Sequence, residues 1–268
     1  MKRMHRYLAV ALISAGVLWA GRSLAQSPFD GAWRIDPSKT VHDSKPISAY
    51  IAQGWYHCES CVPPYTAKAD GSDQPVNLGV IDTISVKDVD ARTVAVVGKK
   101  EGLNVFKALL SVSADGKTLI MTGHNYPPNG QKSVDWKSTL KRIGTLPPGV
   151  HATSGQWQMI KDDVSDNALL VTYETDGAEL TMTMLTGATY TAKFDGNEYP
   201  FKGSYRFDTV SLKRLGERSF EETDKVKGVL LEVDTWTVSP DGKTMTLVST
   251  QTGGRKSTFV LTKAQEKK

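Results

Sequence analysis

The chain repeats itself, and this constrains its fold more than any other feature. YTAKADGSDQP at 65–75 returns as YTAKFDGNEYP at 190–200, matching at seven of eleven positions with an offset of 125. IDTISVK at 81–87 returns as FDTVSLK at 207–213, and SVSADGKTL at 111–119 as TVSPDGKTM at 237–245, both offset by 126. A G-x-W lies near each start, Gly31-Ala32-Trp33 and Gly155-Gln156-Trp157, offset by 124. Landmarks in one order at nearly constant spacing indicate tandem duplication. The sequence therefore divides into repeat 1 at 26–145, a linker at 146–154, repeat 2 at 155–264 and a tail at 265–268. The joint TLPPGVHATSG carries Pro147, Pro148 and Gly149, which interrupt regular structure.

Ahead of the repeats, Lys2, Arg3 and Arg6 precede the apolar run YLAVALISAGVLWA, which is too short to span a membrane. This is the pattern of a secretory signal peptide over 1–25, with Ser23 and Ala25 as the small residues before a cut. The expected location is outside the cytoplasm, in the periplasm. Removing Lys2, Arg3, Arg6 and Arg22 leaves 29 basic residues against 29 acidic ones, so the formal charge of +4 belongs to the leader. A neutral mature chain lacks the basic field that nucleic acid or an anionic membrane surface would require. No later apolar run approaches the length of a transmembrane helix.

Within each repeat the periodicity is that of strands. TVAVV at 93–97, TVSLKRL at 209–215 and TMTLVST at 244–250 are short and rich in Thr and Val. Turn signals stand between such segments at Asp70-Gly71, Asp115-Gly116, Asp195-Gly196 and Asp241-Gly242, and no window carries a helical stripe. The expected fold class is all-β: two tandem up-and-down antiparallel β-barrels, because closing such a meander removes its exposed edges.

At this point the residues carry a resemblance. A G-x-W on a first strand with a basic residue on the last (Lys141 or Arg142 in STLKRIG, Lys263 in STFVLTK) resembles the calycin pattern of lipocalins and fatty-acid-binding proteins. YTAKFDGNEYP, DTVSLKR, EETDK and TVSPDGKTMT also resemble uncharacterised secreted bacterial proteins with tandem lipocalin-like repeats. The resemblance implies that Trp33 and Trp157 are structural, each covered by a basic side chain such as Arg142 or Lys263 in a cation–π contact. It implies no activity. Small barrels can enclose one apolar molecule, so one expectation is a periplasmic binding protein for a small apolar ligand; the other is an accessory envelope protein with side-chain-filled barrels that acts through its surface, and no cofactor is expected.

Enzyme signatures are thin: G-x-S-x-G, H-E-x-x-H and glycine-rich phosphate loops are all missing from the sequence. Glu221, Glu222 and Asp224 are an acidic run, but neighbours on a strand point to opposite faces, and the reading is a solvated strand face. Asp82-Thr83 and Asp208-Thr209 place a carboxylate at the same strand start in both copies. They are weak ligand candidates, with a turn-bonding role favoured. Cys58 and Cys61 are the only cysteines, in WYHCESCVPPY. A disulfide staple is the favoured reading, given an oxidising compartment. Two alternatives stay open: a metal set of His42, His57, Cys58 and Cys61, and a thiol–disulfide centre, which would need a helix after the first cysteine.

Overall fold

The computed structural model describes residues 27–42, 45–146, 148–204 and 206–264. The leader over 1–25 and the tail over 265–268 lie outside the described residues.

Strands dominate. In chain order they are β1 (Gly31–Ile35), β2 (Val41–His42), β3 (Ile47–Ala52), β4 (Trp55–Cys58), β5 (Tyr65–Lys68), β6 (Asp70–Pro75) and β7 (Thr83–Asp90). There follow β8 (Thr93–Lys100), β9 (Leu103–Val112), β10 (Thr118–Asn125), β11 (Val134–Ile143), β12 (Gly155–Val164), β13 (Leu170–Asp176) and β14 (Glu179–Met184). The last seven are β15 (Thr189–Lys193), β16 (Tyr199–Pro200), β17 (Thr209–Gly216), β18 (Ser219–Val226), β19 (Val229–Val238), β20 (Thr244–Gln251) and β21 (Lys256–Lys263). Two nearly closed antiparallel barrels result, as the repeat pattern requires. The turns do what their sequences dictate in both copies: Asp115 accepts from Ser113 Oγ and the Lys117 amide, and Asp241 from Ser239 Oγ and the Lys243 amide.

The folded units do not coincide with the sequence repeats. The N-terminal barrel runs β5-β4-β3-β12-β11-β10-β9-β8-β7-β6, and the C-terminal barrel β15-β14-β13-β1-β21-β20-β19-β18-β17-β16. Each G-x-W strand therefore sits in the other repeat's barrel. The reason is local. The joint after β11 folds back, so β12 pairs with β11 (Ile143 opposite Gln156), the nearest free strand edge. Arg142 pins that turn by donating to the carbonyls of Ala152 and Ser154, each at 2.6 Å. β1 is left to close the C-terminal barrel between β13 and β21.

The expected tryptophan contacts form with exchanged partners. The Arg142 guanidinium lies 4.0 Å from the ring centre of Trp157, and Lys263 Nζ 5.2 Å from that of Trp33. Both indoles are buried, and each donates four residues back, to the Phe29 and Thr153 carbonyls.

The C-terminal barrel is filled by Phe29, Trp33, Tyr173, Tyr190, Phe220, Trp236 and aliphatic neighbours. The N-terminal barrel has a smaller core around Ile84, Val86, Val94 and Val96, and a second cluster around Leu140 and Trp157.

Candidate functional site

The interior of the C-terminal barrel holds what the sequence reading placed outside. Glu222, Asp224, Glu232 and Asp234 are 4%, 2%, 7% and 7% exposed, and Ser249 is buried beside them. The solvated-face reading of Glu222 and Asp224 is thus overturned, although Glu221 and Glu222 do point to opposite faces. The missed signal was parity. Glu222 and Asp224 share alternation with Phe220 and Val226, and Glu232 and Asp234 with Trp236 and Val238, so both pairs must face where those apolar side chains face.

Register stacks these residues into a ladder. Glu222 lies opposite Asp234, which lies opposite Ser249, and Asp224 lies opposite Glu232 in the next row toward the barrel mouth. Tyr190 Oη and Trp236 Nε1 donate to Glu222 Oε2 at 2.9 and 3.0 Å. Ser249 donates to Glu232, whose other oxygen pairs with Arg206 Nη2 at 2.7 Å. Asp224 Oδ1 and Asp234 Oδ1 are buried without a hydrogen-bond partner.

Burial governs protonation here. Desolvation pushes the Glu222 carboxyl up to about 7, against the two bonds that favour its ionised form. Desolvation and the neighbouring carboxylates raise Asp234 to about 9 and Asp224 to about 10. Burial likewise holds Tyr173 and Tyr190 well above the ordinary phenol value.

The N-terminal barrel has none of this. At the corresponding strand positions stand Val96, Gly98, Phe106, Ala108 and Gly123, with Val96 opposite Ala108 and Gly98 opposite Phe106. The Phe106 ring takes the space a side chain at position 98 would need: a Cβ on Gly98 would collide with Phe106 Cε1. Val80 occupies the place of Arg206.

Arg206 marks the mouth of the C-terminal barrel and borders three cavities of about 460, 730 and 580 Å³. All three draw their walls from both barrels. The largest is lined by Val80, Leu103, Val105 and Tyr126 of the N-terminal barrel and by Phe207 and Val226 of the C-terminal one. The backbone around Arg206 is fixed by Ser204 Oγ, which accepts from the Arg206 and Phe207 amides at 3.1 Å.

Asp82 and Asp208 hold hairpins. Asp82 accepts from the Glu101 amide at 2.9 Å and Asp208 from the Lys227 amide at 2.7 Å. Glu101-Gly102 and Lys227-Gly228 all have positive φ, as two-residue turns of this hand require, so each aspartate ties a strained turn to the neighbouring strand.

Cys58 and Cys61 form a disulfide. The metal set is not assembled: both sulfurs are bonded to each other, His57 stacks on Tyr50, and His42 lies on β2 against β21. Among the described residues no three His, Cys, Asp or Glu side chains converge as a metal-ion set. No helix follows Cys58; the turn leads into β5. The stapled turn rests on the β20–β21 hairpin, where a Cβ on Gly253 would come 3.1 Å from Val62, and Lys45 Nζ donates to the Gly253 carbonyl at 2.9 Å. The matching turn in the second copy docks reciprocally, Asn129 Nδ2 donating to the Thr186 carbonyl at 3.2 Å.

No protein-family model matches the chain, and no curated protein matches it. Among the described residues no helix is long and apolar enough to cross a membrane.

Proposed function

We propose that this is an exported lipocalin-like binding protein whose small, largely apolar ligand lies between the barrels. The observation that carries this reading is the cavity of about 730 Å³ walled by Val80, Leu103, Val105, Tyr126, Phe207 and Val226. Its size is that of a small-molecule site, and its exposed surface is mostly apolar, with charged side chains such as Lys100, Glu101, Arg206 and Lys227 also lining it. Leu103, 74% exposed, is the apolar side chain of this wall most open to solvent contact, and it gives the site a residue that can be tested. The aromatic filling of the C-terminal barrel supports a location outside it. The disulfide supports export, since such bonds persist in oxidising compartments.

The test is native mass spectrometry of protein exported through its own leader, together with Nile red binding to wild type and Leu103→Asp. A co-purified small molecule, and a loss of dye affinity of about ten-fold in Leu103→Asp without a change in melting temperature, are expected. Equal dye binding by both proteins, with no co-purified molecule, would refute the assignment.

A further inference from the structure

The acid ladder plays no part in an apolar groove, and its composition is unbalanced. Four buried carboxyl groups, of which burial keeps Asp224 and Asp234 protonated at neutral pH, face one cation, Arg206, and Asp224 Oδ1 and Asp234 Oδ1 have no hydrogen-bond partner. A buried acceptor left unpaired costs on the order of 1–3 kcal/mol. Such oxygens call for N–H or O–H donors. The carboxylates are spread over two cross-strand rows instead of converging on a point, so one metal ion does not fit them. A nitrogen cation with several divergent N–H groups does.

Arg206 already displays that chemistry, its guanidinium held against Glu232. Its side chain is 39% exposed, reaches in from the segment before β17 and borders three cavities, so it has space to withdraw into. Behind the acids, Trp236 Nε1 and Tyr190 Oη donate to Glu222, which leaves Asp224 Oδ1 and Asp234 Oδ1 without a donor from the barrel wall.

We propose that the mouth of the C-terminal barrel binds a small organic cation bearing an amine or guanidinium group, which replaces Arg206 beside Glu232 and donates to Asp224 and Asp234. The proposal does not rest on the groove reading, although Arg206 also lines the groove. Binding displaces the protons held by the ladder into solvent, so affinity rises with pH. The groups facing the site are Glu222 and Asp224 on β18, Glu232 and Asp234 on β19, Arg206, and the phenols Tyr173 and Tyr190, which burial keeps neutral.

Calorimetric titration of the mature chain with agmatine at pH 5.5 and pH 8, in amine-free buffer, tests this. One-to-one binding is expected, tighter at pH 8. Arg206→Ala and the bulkier Arg206→Gln should each bind about ten-fold more tightly, because they remove the internal competitor. Asp224→Asn and Asp234→Asn should each lose at least ten-fold while keeping the wild-type circular dichroism. Three outcomes would overturn the proposal: no saturable binding at millimolar agmatine in wild type and both Arg206 variants, unchanged affinity in Asp224→Asn, or calcium chloride binding in place of agmatine. Nile red binding without agmatine binding would sink this site and leave the groove intact; the converse would do the opposite.

Discussion

Raising the pH from 5 to 8 should destabilise the C-terminal barrel. Glu222, Asp234 and Asp224 have folded values raised to about 7, 9 and 10 from ordinary values near 4. In that window the unfolded chain has released protons that the folded chain still holds. A group raised on folding contributes its full stability below the unfolded value and loses it as pH climbs toward the folded one. Each extra native proton costs about 1.4 kcal/mol per pH unit. The three acids titrate as one coupled set, so a single net proton is the conservative count. Over three pH units that gives about 4 kcal/mol, a large share of the 5–15 kcal/mol typical of a domain. Surface carboxylates such as Asp36, Asp115 and Asp241, held low mainly by hydrogen bonds, lose their contribution only below this window. The assay is urea unfolding in phosphate buffer at pH 5, 6, 7 and 8, followed by tryptophan fluorescence, to which Trp236 beside Glu222 contributes. The midpoint of the transition assigned to this barrel should fall with pH, and Asp224→Asn with Asp234→Asn should flatten the trend. A midpoint that is flat or rises from pH 5 to 8 in the wild type would refute the reasoning.

Trp33→Ala removes a fully buried indole that closes the C-terminal barrel, and should cost about 3–5 kcal/mol. Hydrogen exchange should rise in β13–β21, not in the β3–β12 barrel that follows Trp33 in sequence. Cys58→Ala with Cys61→Ala opens a very short loop and should cost at most about 2 kcal/mol, read as a lower melting temperature with the fold retained. Gly98→Ala drives a methyl into the Phe106 ring and should cost about 1–3 kcal/mol by urea denaturation.

Much of the fold was legible because duplication wrote it twice. Turns at Asp115-Gly116 and Asp241-Gly242, and strands such as Thr209–Gly216 and Thr244–Gln251, follow from local chemistry that both copies share. The exchange of β1 and β12 was not legible, because both strands open on the same G-x-W motif, which does not tell one barrel from the other. What decides between them is a loop geometry, the fold-back into β12 held by Arg142 at Ala152 and Ser154, that no pairwise sequence match records. The ladder was misread for a different reason. Polarity suggested water for Glu222 and Asp224, while alternation with Phe220 and Trp236 dictated burial, and alternation prevailed because the aromatic side chains cannot be turned outward without emptying the core. Arg206 carried no signal at all, since its role depends on a carboxylate 26 residues away.

The duplication also separates what the fold requires from what it merely tolerates. Both barrels share the strand order, the capped tryptophan, the aspartate-tied hairpin and the reciprocal docking of their turns. Among their differences are five positions on adjoining strands and one residue of the mouth. The N-terminal barrel closes around Val96, Gly98, Phe106, Ala108 and Gly123, which shows that this architecture needs no buried charge there. Burying carboxylates costs several kcal/mol per ion unless they are neutralised or paired, and replacing such groups by apolar ones is often stabilising. A chain that keeps four of them in one barrel, two with an oxygen unpaired, holds a feature that its other barrel does without. The ladder is therefore a second place to look for function beside the groove, and the ion pair of Arg206 with Glu232 stands at its edge.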